Sequence, residues 1–377
     1  MIYLTYNDQV NGIFSGQVVD VVKYFREDFS LPVRLISFFP GSLYAKEKIK
    51  LKNLAPWAIP IKAFFPLRVF RFNRSLIYRH LNFPGFNGIV VARGVFAASI
   101  ALSLKKRGMV KKVVYDGRGA VSFEFKEYNM GNSSLAKMAA RLERKAVRES
   151  DFRIAVSEKL IEYWKDNFEY SEENHIVVPT TLDTQRFSAK AESGNREKFG
   201  FGQKDKIFVF VGGNADWQSP DLLLKFALEV LPKVENGKLL LLSQREFPQI
   251  ENHPELKGLV VRKALSPEEV FPALKMADFG LLLREKSVTN KVSSPTKFAE
   301  YLSAGLPVLI SPGVGDFSEM VREHSLGWVW EPGQSNLPEF ARFSGSEFLQ
   351  AFAGKHFMKN SEVVKDAYSQ MLKSLGV

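Results

Sequence analysis

The chain has 377 residues, more than one ordinary hydrophobic core absorbs, so two domains of roughly 180 residues each are expected. Its 25% charged and 45% apolar residues, with no apolar run near the ~20 residues of a membrane span, exclude a helical integral membrane protein, and the absence of cysteine excludes disulfides, thiolate nucleophiles and cysteine-held metals. The net charge of +11 falls in one half: residues 1–182 hold 28 Lys and Arg against 17 Asp and Glu, whereas residues 183–377 hold 24 of each.

Residues 2–6 read as a first strand. The opening M-I-Y-L-T-Y-N-D lacks the basic and long apolar regions of a signal peptide, so a cytoplasmic protein is expected. Gly12 and Gly16 follow in a loop without the G-x-G-x-x-G spacing, which argues against an ordinary NAD enzyme. After a second strand, Val33 to Phe38, comes an unusual segment, Gly41 to Pro84. Its residues 41–80 carry nine basic side chains against Glu47 alone, interleaved with Trp57, Phe64, Phe65, Phe70 and Phe72 and broken by Pro56, Pro60 and Pro66. Such a pattern suits an anionic bilayer, with rings at headgroup depth and cations near the surface. It also suits single-stranded nucleic acid, or a solvated helical face over an aromatic core. Of the external partners, the one expected is an anionic membrane surface met through residues 41–80, peripherally on an inner membrane face; nucleic acid is not.

G-I-V-V-A-R-G and V-V-Y-D-G-R-G each end a strand, placing Arg93 and Asp116 where open α/β sheets bind ligands. Asp116 and Arg118 could both face a ligand there, one as an acceptor and one as a cation; an internal turn pair of Asp116 with Arg118 fits the residues equally. Ser134 to Arg148 forms an amphipathic helix, and Ser157 caps the next one. Polar residues replace the apolar rhythm from about Thr181 to Gly194, which marks a boundary. The strand K-I-F-V-F-V then ends in Gly212-Gly213, where a diphosphate can approach the backbone, although the loop that follows has no Lys or Arg. Ser266-Pro267-Glu268-Glu269 starts a helix.

From Asp278 to Asp316 the residues spell one βαβ unit. Phe279 to Leu283 and Pro307 to Ile310 are the strands. Between them a helix runs from about Pro295 to Ala304, with Ser294 as N-cap, Pro295 in the first position and Gly305 just past the end. Phe298, Tyr301 and Leu302 face the core. Thr296 and Lys297 share the opposite side with Glu300, so an anion can sit at the helix tip and a vicinal diol beside the carboxylate.

The run P-T-K-F-A-E-Y-L-S-A-G-L-P-V-L-I resembles the nucleotide-binding segment of the "group 1" (family 4-like) glycosyltransferases. The resemblance implies an α/β protein of the GT-B architecture, two Rossmann-like doubly wound domains facing each other across a cleft. Residues 1–182 would bind the acceptor and 195–360 the nucleotide sugar, with 361–377 a helix packing back on the first domain. It implies transfer of a hexosyl-type sugar from a nucleotide-diphosphate sugar to a lipid-linked or polysaccharide acceptor, retaining and metal-independent, with no cofactor beyond the donor substrate. Sugar-nucleotide isomerisation on the same architecture, or a non-catalytic nucleotide-sugar-binding scaffold, are the alternatives. Carried onto this chain, the nucleotide-sugar site comprises Gly12, Gly212, Gly213, Lys263, Ser293, Ser294, Thr296, Lys297 and Glu300, the last holding the ribose. Asp116, Arg118 and Arg284 would act in catalysis. Backbone near Arg262 to Leu265 would read the base. Two departures stand out. The family's first glutamate, eight residues before Glu300, is Val292 here, leaving its task to Ser293, Ser294 or Asn290. The cations missing after Gly213 leave theirs to Arg284, Lys291 or Lys297.

Overall fold

The computed structural model describes residues 1–63, 70–128, 133–171, 173–187, 192–213, 218–334, 340 and 345–377. The chain divides into one unit of Met1–Thr181 with Glu362–Val377 and a second of Leu182–Ser361. In the first, β1 (Ile2–Tyr6), β2 (Arg34–Pro40), β3 (Ile59–Ala63), β4 (Ile89–Arg93), β5 (Lys112–Asp116), β6 (Phe152–Ala155) and β7 (His175–Val177) form one parallel sheet. Its order is β3-β2-β1-β4-β5-β6-β7. β1 is buried at every position, as continuous apolar strands covered on both faces require. The order reverses between β1 and β4, so their C-terminal ends flank the crevice where such sheets bind ligands.

The basic segment after β2 contains regular structure that its composition hides: the helix Tyr44–Leu54, β3 and the helix Phe70–Leu81. Pro60 argues against a strand, but β3 lies at the sheet edge, where a missing N–H costs no ladder bond. Phe64, Phe65, Pro66 and Arg68 lie outside the described residues. Glu47, the segment's sole acid, is buried and accepts the Val10 N–H at 2.6 Å and Lys50 Nζ at 2.9 Å. It fastens the helix to the first loop. Lys52 Nζ donates to the Pro56 and Ala58 carbonyls, so two of the four helix lysines serve the fold. Lys46, Lys48 and Ile49 face solvent.

The last helix, Glu362–Leu375, completes this same unit. Its Val364, Tyr368, Met371, Leu372 and Leu375 join a core with Phe14, Val18 and Phe25, and the Tyr368 ring meets that of Phe25 at 4.9 Å.

In the second unit β8 (Lys206–Val211), β9 (Gly237–Leu242), β10 (Val260–Lys263), β11 (Phe279–Leu282), β12 (Val308–Ile310) and β13 (Gly327–Val329) form a parallel sheet ordered β10-β9-β8-β11-β12-β13. The reversal falls between β8 and β11. These two pair only at Phe208 with Phe279 and Val209 with Gly280. Beyond these pairs Tyr301 of the helix Thr296–Ser303 takes over: its hydroxyl accepts the Val211 N–H at 3.2 Å and donates to the Leu281 carbonyl at 3.1 Å. A Cβ on Gly280 would stand 2.4 Å from Tyr301 Cγ, so that glycine makes room for the ring. A helix side chain supplies the bonds that the parting strands give up. Tyr301→Phe should therefore cost about 1–3 kcal/mol, the penalty of leaving buried backbone groups unmet. Urea denaturation of the full chain measures it, and an unchanged midpoint would show that the hydroxyl holds nothing.

Candidate functional site

The C-terminal edge of the second sheet gathers most of the expected polar residues. The helix there starts one residue later than expected. Pro295 is itself the N-cap, in extended backbone with ψ 126°, and has no side chain that could cap the first turn. The far end is as expected: Gly305 takes φ +80°, and a Cβ on it would press on Ser346 at 2.9 Å. Thr296 and Lys297 occupy the first turn and Glu300 the next, all half-buried. Arg284, in the loop after β11, is buried, with its backbone N–H on Ser311 Oγ at 2.8 Å.

These charges act on one another. Burial, and then the nearby Arg284 guanidinium, push the Lys297 ammonium down to about 8, while Glu300 opposes them. Burial raises the Glu300 carboxyl, with Lys297 and Arg186 holding it back. Two cations crowded at the open end of a helix are relieved by an anion.

Beside them opens a cavity of about 480 Å³, lined among others by Gly212, Gly213, Gln244, Leu265, Arg186 and Glu300. That volume is typical of a small-molecule site. Three of the expected residues, Gly212, Gly213 and Glu300, thus line one cavity. Lys263 does not line the cavity, and its carbonyl takes the Ser243 N–H at 3.0 Å; Leu265 does line it, with its carbonyl on Gln244 Nε2 at 2.8 Å. Ser293 donates its hydroxyl to the Asn290 carbonyl at 2.8 Å, and Ser294 precedes the helix half-buried. Asn290 is turned inward, its Nδ2 on the Glu285 carbonyl at 3.0 Å, and Val292 is buried. Val292, being apolar, presents no polar group in place of the missing glutamate.

The sequence alone did not single out Arg186. It stacks over Phe187 at 5.3 Å and donates to the Pro267 carbonyl at 2.9 Å, coming from the polar segment that reads only as a boundary. Ser219 carries no local signal in the sequence either. It holds a left-handed φ of 52° directly before Pro220, with its Oγ accepting the Glu285 N–H at 2.8 Å. Such backbone costs about 1–3 kcal/mol and concentrates at functional sites.

In the first unit Asp116 is buried at the end of β5 and engaged by its own chain. Tyr3 donates its hydroxyl to Oδ2 at 2.5 Å, Arg118 Nε lies 3.0 Å from Oδ1, and Arg93 Nη1 lies 3.6 Å from Oδ2. Of the two readings of Asp116 and Arg118, the internal pair is the arrangement present. Arg93 also meets Asp8 at 3.7 Å, so the cluster sits beside the β1–β4 reversal. Gly12 opens a short helix, and a Cβ there would meet nothing within 4 Å, so no contact within the chain demands glycine at that position.

Two doubly wound parallel units of this kind make up the GT-B fold, an α/β class in which each unit presents the C-terminal ends of its strands to ligands. No protein-family model matches the chain, and no curated protein matches its sequence. Solved structures do match. A glycosyltransferase from Rickettsia africae ESF-5 superposes with a TM-score of 0.70 at 15% identity, over 99% of this chain and 98% of that one. Anabaena Alr3699/HepE in complex with UDP gives 0.70 at 14% identity, over 100% and 99%. The lipopolysaccharide outer core galactosyltransferase WaaB gives 0.69 at 13% identity, over the full length of both. At such identities the likeness establishes the fold.

A bound anion raises the Lys297 ammonium again, so its contribution to anion affinity is complete below about pH 8 and declines as the pH rises further. Calorimetric titration with inorganic pyrophosphate on either side of that value should show the decline. Lys297→Met should bind more weakly and lose the dependence; an unaltered pH profile in that variant would place the anion elsewhere.

Proposed function

We propose that this chain is a glycosyltransferase whose second unit holds a UDP-sugar and whose first unit holds the acceptor. The observation that carries this is one cavity lined by Gly212, Gly213 and Glu300, beside the cationic pair Arg284 and Lys297. The diphosphate would lie against the glycine backbone and the helix N-terminus, and Glu300 would accept the ribose hydroxyls. Arg284 and Lys297 would neutralise the departing diphosphate, so transfer is expected to persist in a chelator. The complexes of HepE with UDP and with UDP-glucose support the choice of nucleotide. A thermal-shift screen of UDP, GDP, ADP and CMP sugars tests it, since a ligand of the native state raises the midpoint by mass action. Glu300→Ala should weaken UDP by at least about 1 kcal/mol. Equal affinity in that variant would remove Glu300 from the site.

The acceptor proposed is a lipid-linked or polysaccharide intermediate, and the basic first unit would meet it at an anionic membrane surface, with a hexosyl group transferred with retention. The helix Tyr44–Leu54 offers Lys46, Lys48 and Ile49, the last 63% exposed. No described helix is long and apolar enough to cross a membrane. Replacing Lys46 and Lys48 by Gln and Ile49 by Asp should abolish sedimentation with anionic vesicles at low salt while leaving the fold intact, because Lys50 and Lys52 keep their internal partners. Continued sedimentation would sink the membrane assignment. The burial of Val292 favours one rival, a nucleotide-sugar-binding protein without turnover. UDP release that depends on added acceptor excludes that rival, and it excludes an isomerase as well.

A further inference from the structure

The segment Gly212–Pro220 contains no Lys or Arg, yet it ends a strand at the cavity where a diphosphate would lie. One polar side chain from it does reach that strand end. Gln218 is 9% exposed, and its Oε1 accepts the Gly213 N–H at 3.0 Å. The same oxygen lies over Gly212, where a Cβ would stand 1.8 Å away. A side chain at 212 would have to displace this carboxamide. Gln218 is held from the other side too, since Ser219 turns left-handed and binds the Glu285 N–H.

An amide anchored by its oxygen has its two N–H donors left over. Gln218 Nε2 makes no hydrogen bond among the described residues, and it lies 3.9 Å from where a Cβ of Gly213, a residue of the cavity wall, would be. Gln218 thus takes up the backbone donor of Gly213 and keeps its own Nε2 close to that residue. We infer that Gln218 is a further donor-site ligand: locked on Gly213 through Oε1, it gives an Nε2–H to the diphosphate of the bound nucleotide. A neutral amide stands where a cation would otherwise serve. This rests on the proposed nucleotide site and adds a residue to it.

The test is calorimetric titration of the full chain with UDP and, by competition, with uridine. Gln218→Ala should weaken UDP about tenfold, as loss of a hydrogen bond to a charged group does. Gln218→Glu keeps the shape and the acceptor for Gly213 but turns an oxygen toward the phosphate, so it should weaken UDP more than Gln218→Ala. Uridine, which has no phosphate, should bind all three proteins alike. Gly212→Ala should lower the melting temperature, and adding Gln218→Ala should restore the temperature without restoring UDP affinity. Equal UDP affinity in both Gln218 variants overturns the inference while leaving the nucleotide site standing. Tighter UDP binding in Gln218→Ala also overturns it, because the amide would then be a stopper on the Gly213 N–H. Wild-type protein that binds no nucleoside diphosphate refutes the site and the inference together.

Discussion

The second unit depends on a phenol placed between two strands. β8 and β11 must part for a crevice to exist, and parting leaves buried backbone donors and acceptors without rungs. Tyr301 meets one of each with a single hydroxyl. Because it stands on the helix whose first turn carries Thr296 and Lys297, the bond that tolerates the gap also fixes the helix tip over it. Gly280 is the small residue that admits the ring, and Lys297 and Glu300 share the helix that this docking holds.

What the residues disclose on their own is the local part. The βαβ unit from Asp278 to Asp316, the glycine ending its helix and the inward face of Phe298, Tyr301 and Leu302 follow from periodicity and turn chemistry. Hidden features are those whose partner is distant or whose rule is relaxed by position. Pro60 forbids a central strand but not an edge strand, and nothing local announces an edge. Asp116 looks like a ligand group until Tyr3, far away in the chain, donates to it. The helix starts one residue late because Pro295 holds extended backbone, ψ 126°, and leaves the first turn to Thr296. Arg186 and Gln218 escape because each works through a backbone group that the fold alone delivers.

Charge is distributed by task rather than by amount. The first unit holds the whole positive excess, yet part of it is spent internally: Lys50 on Glu47, Lys52 on carbonyls, Arg93 and Arg118 on Asp116. The second unit is balanced overall but concentrates Arg284 and Lys297 at one helix tip. Local crowding of two cations, with Glu300 as the counterweight, does more there than net charge could.

The helix Glu362–Leu375 gives the chain an inverted assembly order. Domains usually mature in the sequence in which the ribosome releases them. Here the first hydrophobic core waits for its final layer until the entire second domain has emerged, so Phe14, Val18 and Phe25 stay incompletely covered throughout synthesis. Early termination anywhere in the second half would leave that first core without its closing helix.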